Sequence, residues 1–308
     1  MLEWRTPGTG DIRLLERYMS DHKMITSDCT PANIYLLREK YNIRIAEKDG
    51  FLFRKYSGKG IPGRDGVTFP LGDGDVRTAL EEVRKDRAQK GKPLDLIYLT
   101  KDQCVRIKEI YPLTEFHTDR GNTDYLYTAE HLSTLSGREN HKKKNRSNRF
   151  AKLFPDCSIV YIREYDEKVC ADMVAIEDKW FEDQEERIDS AFVEREEIYK
   201  ACRTWDDLGL IGAVVYTQEG TAVAMSIAAP ISEGYYDILF EKSYGEYARD
   251  GGFAYINRSF ATFLMNELGA KWINREEDIG LLGLRRAKMG YNPDLLMDKY
   301  HCVVNDDQ

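Results

Sequence analysis

The chain has 308 residues, 42% of them hydrophobic, enough for two cores rather than one. Its formal net charge of −8 and pI near 5.4 exclude a surface coated in basic residues, so any nucleic-acid contact must be local. The six cysteines form no CxxC pair and the five histidines lack ligand-like spacing, which argues against disulfides and metal; with no apolar leader and no run near the roughly 20 residues of a membrane span, the chain reads as cytoplasmic.

Near the start, Ile12, Leu15 and Met19 recur at helical spacing, and Asp28, Thr30 and Pro31 form a cap signal for a helix from about Pro31 to Tyr41. Two strands are expected next, Asn42 to Glu47 and Phe51 to Tyr56, joined through Asp49-Gly50 as a hairpin. Gly58, Gly60, Pro62, Gly63 and Gly66 mark a mobile loop before a strand over Val67 to Leu71. An amphipathic helix over Asp75 to Gln89, a buried strand over Leu94 to Leu99 and a strand at Asp124 to Tyr127 complete one α/β unit, residues 1–136.

A basic segment, 137–156, separates this unit from the next. Arg138 to Lys152 holds seven Lys or Arg against one acidic residue, concentrating positive charge on an otherwise acidic chain. From Cys157 the pattern repeats in kind over residues 157–308. A strand from Ser158 to Arg163 precedes a helix with Val169, Met173, Ile176 and Trp180 on one face, then a helix from Glu194 to Leu208. Strands Leu210 to Tyr216, Thr221 to Ala229 and Gly234 to Phe240 form an antiparallel meander. A helix from Phe253 to Leu268, a strand from Lys271 to Arg275, a helix from Leu281 to Met289 and a last strand over Leu295 to Val304 close the unit.

This β-β-β-α-β-α-β order, closed by Gly290-Tyr291, resembles the GNAT acyltransferase core. The expected fold is therefore α/β (α+β): two tandem GNAT-like domains, each a mixed, mainly antiparallel sheet flanked by helices. A closer resemblance lies in Asn274-Arg275-Glu276-Glu277-Asp278-Ile279-Gly280, Gly283-Leu284-Arg285, Ala287-Lys288, Tyr291 and Pro293. Upstream it is supported by Glu241-Lys242, Tyr255-Ile256-Asn257 with Phe260, and the run from His141 to Asn145. Together these resemble the C-terminal catalytic domain of bacterial phosphatidylglycerol lysyltransferases. The resemblance implies aminoacyl transfer from aminoacyl-tRNA to an amine or hydroxyl of a small-molecule, peptide or lipid-head-group acceptor. Those enzymes carry membrane spans that are not read in this chain.

If Lys271 to Asp278 is extended, Asn274, Glu276 and Asp278 share one face and gather carboxylates at the sheet's C-terminal end, where open α/β sheets bind ligands. Chemistry and resemblance together assign Glu276 and Asp278, the latter an exposed carboxylate, to amino-group recognition or base work. They assign Arg275 and Lys288 to phosphate or carbonyl stabilisation, and Asn274, Asn257, Tyr291 and Glu241 to substrate binding. The bland alternative is a solvated strand end with ordinary surface ion pairs.

Arg249-Asp250-Gly251-Gly252 fits the turn by which many GNAT enzymes hold the coenzyme A pyrophosphate at a helix N-terminus, with Arg249, Gly251 and Gly252 as its contacts. It is equally a glycine turn into a helix. Acetyl-CoA or another acyl-CoA is thus the alternative donor for an N-acetyltransferase, and no cofactor is otherwise required. Lys142, Lys143, Lys144, Arg146 and Arg149 form a candidate grip on the phosphates of a tRNA acceptor stem, or a solvated interdomain helix. The acidic stretch Glu182, Asp183, Glu185, Glu186, Glu194, Glu196 and Glu197 suits a cationic substrate or an exposed face. A non-catalytic RNA-binding or scaffold role is the third reading.

Overall fold

Helix α1 (Ile12–Asp21) buries Ile12, Leu15, Tyr18 and Met19, and α2 (Pro31–Leu36) starts on Pro31, whose missing N–H has no intrahelical partner in a first turn. The expected continuation to Tyr41 is replaced by turns that end at Asn42 in the left-handed region. Strands β1 (Arg44–Lys48) and β2 (Phe51–Ser57) pair around Asp49-Gly50, both at positive φ, as a tight hairpin requires. Then come β3 (Asp65–Val67), α3 (Val76–Ala88) capped by Asp75, β4 (Leu94–Leu99), α4 (Lys101–Ile110), β5 (His117–Thr118) and β6 (Asp124–Thr128). The strand read over 67–71 stops at Val67; past it, Thr68 donates its N–H to the Arg54 carbonyl and Leu71 bridges back to Leu52.

The second half runs α5 (Ala129–Thr134), α6 (His141–Leu153), β7 (Ser158–Ile162), α7 (Glu167–Glu182), α8 (Asp189–Arg203), β8 (Ile211–Tyr216), β9 (Ala222–Ser232) and β10 (Tyr235–Ser243). It ends with α9 (Gly245–Arg249), α10 (Gly252–Leu268), β11 (Trp272–Asn274), α11 (Leu282–Met289), β12 (Leu295–Met297) and β13 (Tyr300–Val304). The computed structural model describes residues 1–57, 65–183 and 189–304. Gly58, Gly60, Pro62 and Gly63 of the glycine loop, and Glu185 and Glu186 of the acidic stretch, lie outside the described residues.

The strands form two sheets, ordered β1-β2-β3-β4-β13-β5 and β12-β6-β11-β10-β9-β8-β7. Each is antiparallel except for one parallel pair, β3 with β4 and β10 with β11. Beyond that pair the chain crosses over: β13 completes the first sheet in the place that β6 takes in the second. A boundary at residue 136 therefore leaves β6 on one side and its sheet on the other, and the reverse holds for β13.

Alternation along the strands divides the core. Val214 and Tyr216 of β8 face α7 and α8, whereas Ala213 and Val215 face α5 and α10. In the first sheet Phe51 and Phe53 pack under α3 and α4, while Leu52 and Tyr56 meet α1 and the residues around α2. Helices α1 and α2 contribute to cores on both sheets, which brings the segment from Ser27 to Leu36 against the end of the second sheet.

Candidate functional site

Strands β10 and β11 pair only over Tyr235–Asp237 with Trp272–Asn274. Beyond this, Arg275 turns its backbone N–H to Tyr125 of β6, and β10 continues without β11. The parted strands form one wall of a cavity of about 700 Å³, closed by α2, α11 and Lys299. Glu276, Glu277, Arg275, Lys288, Tyr291 and Glu241 all line it, so the structure brings together six residues that the sequence singles out or neighbours.

The extended run expected over 271–278 stops at Asn274. Glu276 and Ile279 take φ of 56° and 46°, a left-handed conformation that costs a non-glycine residue about 1–3 kcal/mol. It is held by the Asn274 Oδ1, which accepts from the Glu276 N–H at 2.7 Å. The turn breaks the alternation: Glu276 and Glu277 both line the cavity, and Asp278 does not.

Asn33, on α2, donates through its amide nitrogen to Glu276 Oε1 at 2.7 Å and to Asp237 Oδ2 at 3.0 Å, and Thr30 Oγ1 donates to the same Asp237 oxygen at 2.6 Å. Burial, reinforced by the charge of Glu277, raises the Glu276 carboxyl to about 7, against the pull of Lys288 and Asn33. Burial and the nearby Glu276 push Asp237 well above the usual carboxylate range. Lys288 Nζ donates to the Glu277 carbonyl at 2.6 Å, and burial lowers its pKa although both glutamates oppose this. Lys299 lies 2.6 Å from Asp124 and 3.3 Å from Glu277, and donates to Ser27 Oγ at 2.9 Å. Asn274 is held on Asp124 Oδ2 at 2.9 Å, so it builds this cluster rather than the cavity lining.

A second region of the cavity is cationic. Arg275 spans the parted strands to Glu241 Oε1 at 2.8 Å, and Asn257 donates to the other Glu241 oxygen at 2.8 Å. Lys143 Nζ and Arg275 Cζ lie 4.0 and 4.6 Å from the centroid of the buried Tyr291 ring. Burial, with Arg275 and Arg146 adding, pulls the Lys143 ammonium down to about 8. The basic run is thus divided. Helix α6 packs on α10 through buried Ser147 and Phe150, Lys143 and Arg146 line the cavity, Lys142 faces outward, Lys144 is half-buried and Arg149 binds Asp250 at 2.6 Å.

The glycine turn before α10 sits under α6. Gly251 has φ of 112°, and a Cβ there would lie 2.3 Å from the Arg146 carbonyl oxygen, so glycine is needed for close approach as well as for the turn. Arg249, Gly251 and Gly252 are outside the cavity lining. At another part of the lining, Lys242 Nζ sits 3.3 Å from the Trp180 ring centroid and 2.8 Å from Glu194. Glu197 lines the same region, so part of the acidic stretch does reach the cavity.

Sequence reasoning missed Asn33, Asp237, Asp124 and Lys299, which lie far apart in the chain and carry no local motif. Asp278 needs correction: it is wholly buried rather than exposed. Burial works to raise its carboxyl, but hydrogen bonds from Arg285, Tyr125 and the Gly280 N–H outweigh that and bring it to about 2.

The family model for phosphatidylglycerol lysyltransferase, C-terminal, matches residues 22–303. The chain belongs to this family. A conserved protein of unknown function from Bacteroides thetaiotaomicron is 25% identical, with 99% of this chain and 100% of that one covered and a TM-score of 0.88. L-PGS from Bacillus licheniformis is 15% identical over 96% of this chain and 92% of that one, with a TM-score of 0.63. A tandem GNAT protein from the clavulanic acid biosynthesis pathway is 8% identical, covers both chains fully and has a TM-score of 0.50. No curated protein matches significantly. This member of the phosphatidylglycerol lysyltransferase C-terminal family thus has a GNAT-like fold with two mixed, mainly antiparallel sheets and an acyltransferase-like domain. Among its described residues no helix is long and apolar enough to cross a membrane.

Proposed function

We propose that this protein transfers an aminoacyl group from aminoacyl-tRNA to a hydroxyl or amine acceptor inside the cavity. The observation that carries the reading is the placement of Glu276, a carboxyl raised to about 7 and hydrogen-bonded to Asn33, in the same cavity as Lys143, Arg146 and Arg275. A general base is most effective with a pKa near the working pH, and the cationic region suits the terminal phosphates of a tRNA. In this reading the acceptor oxygen or nitrogen attacks the ester carbonyl carbon and its proton passes to Glu276. The resulting oxyanion is stabilised by Lys288; on collapse the bond to the tRNA ribose oxygen breaks, and that oxygen takes the proton back from Glu276. Arg275, Glu241, Asn257 and Tyr291 hold the donor in place, and most of the rate comes from positioning and electrostatics.

The alternative donor, an acyl-CoA, is chemically compatible with a GNAT-like fold. Weighing against it, the Arg275–Glu241 pair crosses the parted strands and α6 covers the glycine turn. The deciding measurement is binding of the purified protein to charged tRNA and, separately, to acetyl-CoA at moderate salt, followed by transfer of radiolabelled amino acid to an added acceptor. tRNA binding with transfer supports the proposal. Binding of acetyl-CoA alone moves the assignment to an N-acetyltransferase, and tRNA binding without turnover to a non-catalytic RNA-binding role.

A further inference from the structure

Helix α11 is built inside out. In an ordinary surface helix the apolar stripe faces the core and the charges face water. Here the one buried residue of Leu282–Met289 is Lys288, and Arg285 is held inward on Asp278. The apolar residues of the helix and its approach are the exposed ones: Ile279 at 45%, Leu281 at 41%, Leu282 at 63%, Leu284 at 37% and Met289 at 42%. The inversion follows from the two cations three residues apart, which are both drawn inward by the 276–278 carboxyl and carbonyl groups. That forces the leucines out. Five large apolar side chains within eleven residues form a patch rather than scattered exposure.

Charge indicates what covers it. From Ile279 to Asn292 the chain has three basic residues and no acidic one, on a protein of net charge −8. Arg286 is exposed on α11, and Arg138 and Lys142, with the single acidic residue Glu139 beside them, border Gly290 and Asn292 at its C-terminal end. Ile279, Leu281 and Leu284 also line the cavity, so the patch is continuous with the site. We infer that α11 and its approach are a docking surface for an anionic phospholipid bilayer, with the leucines in the headgroup and acyl boundary and the flanking cations on the headgroups. A nucleic-acid backbone offers nothing apolar to meet the leucines. A two-fold pair of copies would set Arg286 and its neighbours against like charge. The inference deepens the acceptor half of the proposed reaction, giving the cavity access to an acceptor held in a lipid surface, and it is tested without any donor.

The full chain would be sedimented with phosphatidylcholine vesicles, and with the same vesicles containing phosphatidylserine or phosphatidylglycerol. Binding is expected on both anionic mixtures and little on phosphatidylcholine alone. Leu282→Glu, at the most exposed position and outside the cavity lining, should lower the partition coefficient on the order of tenfold, and Arg286→Glu should weaken binding to the anionic mixtures. Absence of vesicle binding, or a Leu282→Glu protein that binds as the wild type does, overturns the inference. So does a Leu282→Glu change that only splits a dimer in sedimentation velocity, which would give the patch to a second copy. Failed transfer with intact vesicle binding would count against the proposed reaction and leave the docking surface standing.

Discussion

Arg285 and Asp278 are joined at two points, Nε to Oδ2 at 2.7 Å and a terminal nitrogen to Oδ1 at 2.9 Å, while the Tyr125 hydroxyl donates to the same carboxylate at 2.5 Å. This fork fixes α11 to the end of the second sheet, and so fixes Lys288 three residues on. Asp278 supports the site from behind.

Asp278→Asn should therefore lower stability, by about 1–3 kcal/mol, because the buried fork loses its negative charge and one of its two acceptor oxygens. Urea unfolding at neutral pH measures this. The pH dependence has a definite sign. Asp278 is depressed to about 2 in the folded state from an unfolded value of about 3.9, so its contribution is present above about pH 4 and is lost as pH falls toward about 2. The variant should lose less stability across that window than the wild type. Unchanged melting at neutral pH would show that the fork does not anchor α11.

Glu276→Gln should abolish aminoacyl transfer with little effect on folding, since a neutral amide still accepts from Asn33. In the wild type the transfer rate should rise with pH through about 7, as the carboxyl becomes able to accept a proton. Asn33→Leu removes a donor to the charged form and should move that inflection upward. A pH–rate profile that stays in place in Asn33→Leu removes the α2 amide from the mechanism.

Replacing Lys142 and Lys144 by Glu should weaken tRNA binding and reduce the slope of log affinity against log salt by about 1 to 2, the amount expected for two lost phosphate contacts. Filter binding across a potassium chloride series measures it. Lys143→Met, in contrast, removes a charge inside the cavity and should reduce transfer more than binding.

Gly251→Ala places a Cβ 2.3 Å from the Arg146 carbonyl oxygen and a side chain at φ 112°, so α6 must shift off α10. A loss of about 1–3 kcal/mol is expected from the backbone conformation alone. Thermal unfolding gives the loss, and weaker tRNA binding in the same variant would tie the α6–α10 contact to the basic surface.

Much of the fold was legible because its signals are local. The Asp49-Gly50 and Gly220 hairpins, the apolar stripe of α10 and the buried strand Leu94–Leu99 each depend on neighbours within a few residues. The cavity was legible only where it repeats a family motif, through Glu276, Arg275, Lys288 and Tyr291. Asn33 and Lys299 were not, because their partners lie 243 and 22 residues away and are set by how the strands cross. The extended run to Asp278 was misread because alternation assumes a regular backbone, and a left-handed Glu276 is invisible to it.

The strand exchange has a consequence for how the protein is made. Asp124 opens β6 and Lys299 immediately precedes β13, so their ion pair at 2.6 Å ties together the two strands that change sheets. During synthesis the first sheet waits unfinished for β13, the last of the described strands to be made. Without that last strand β4 would lack its antiparallel partner and Asp124 its Lys299 ammonium, leaving Ser27 and Asn274 as the donors to that carboxylate. Lys299, which lines the cavity, enters with the strand that completes the first sheet, so that wall of the cavity and the sheet are finished by the same late segment of the chain.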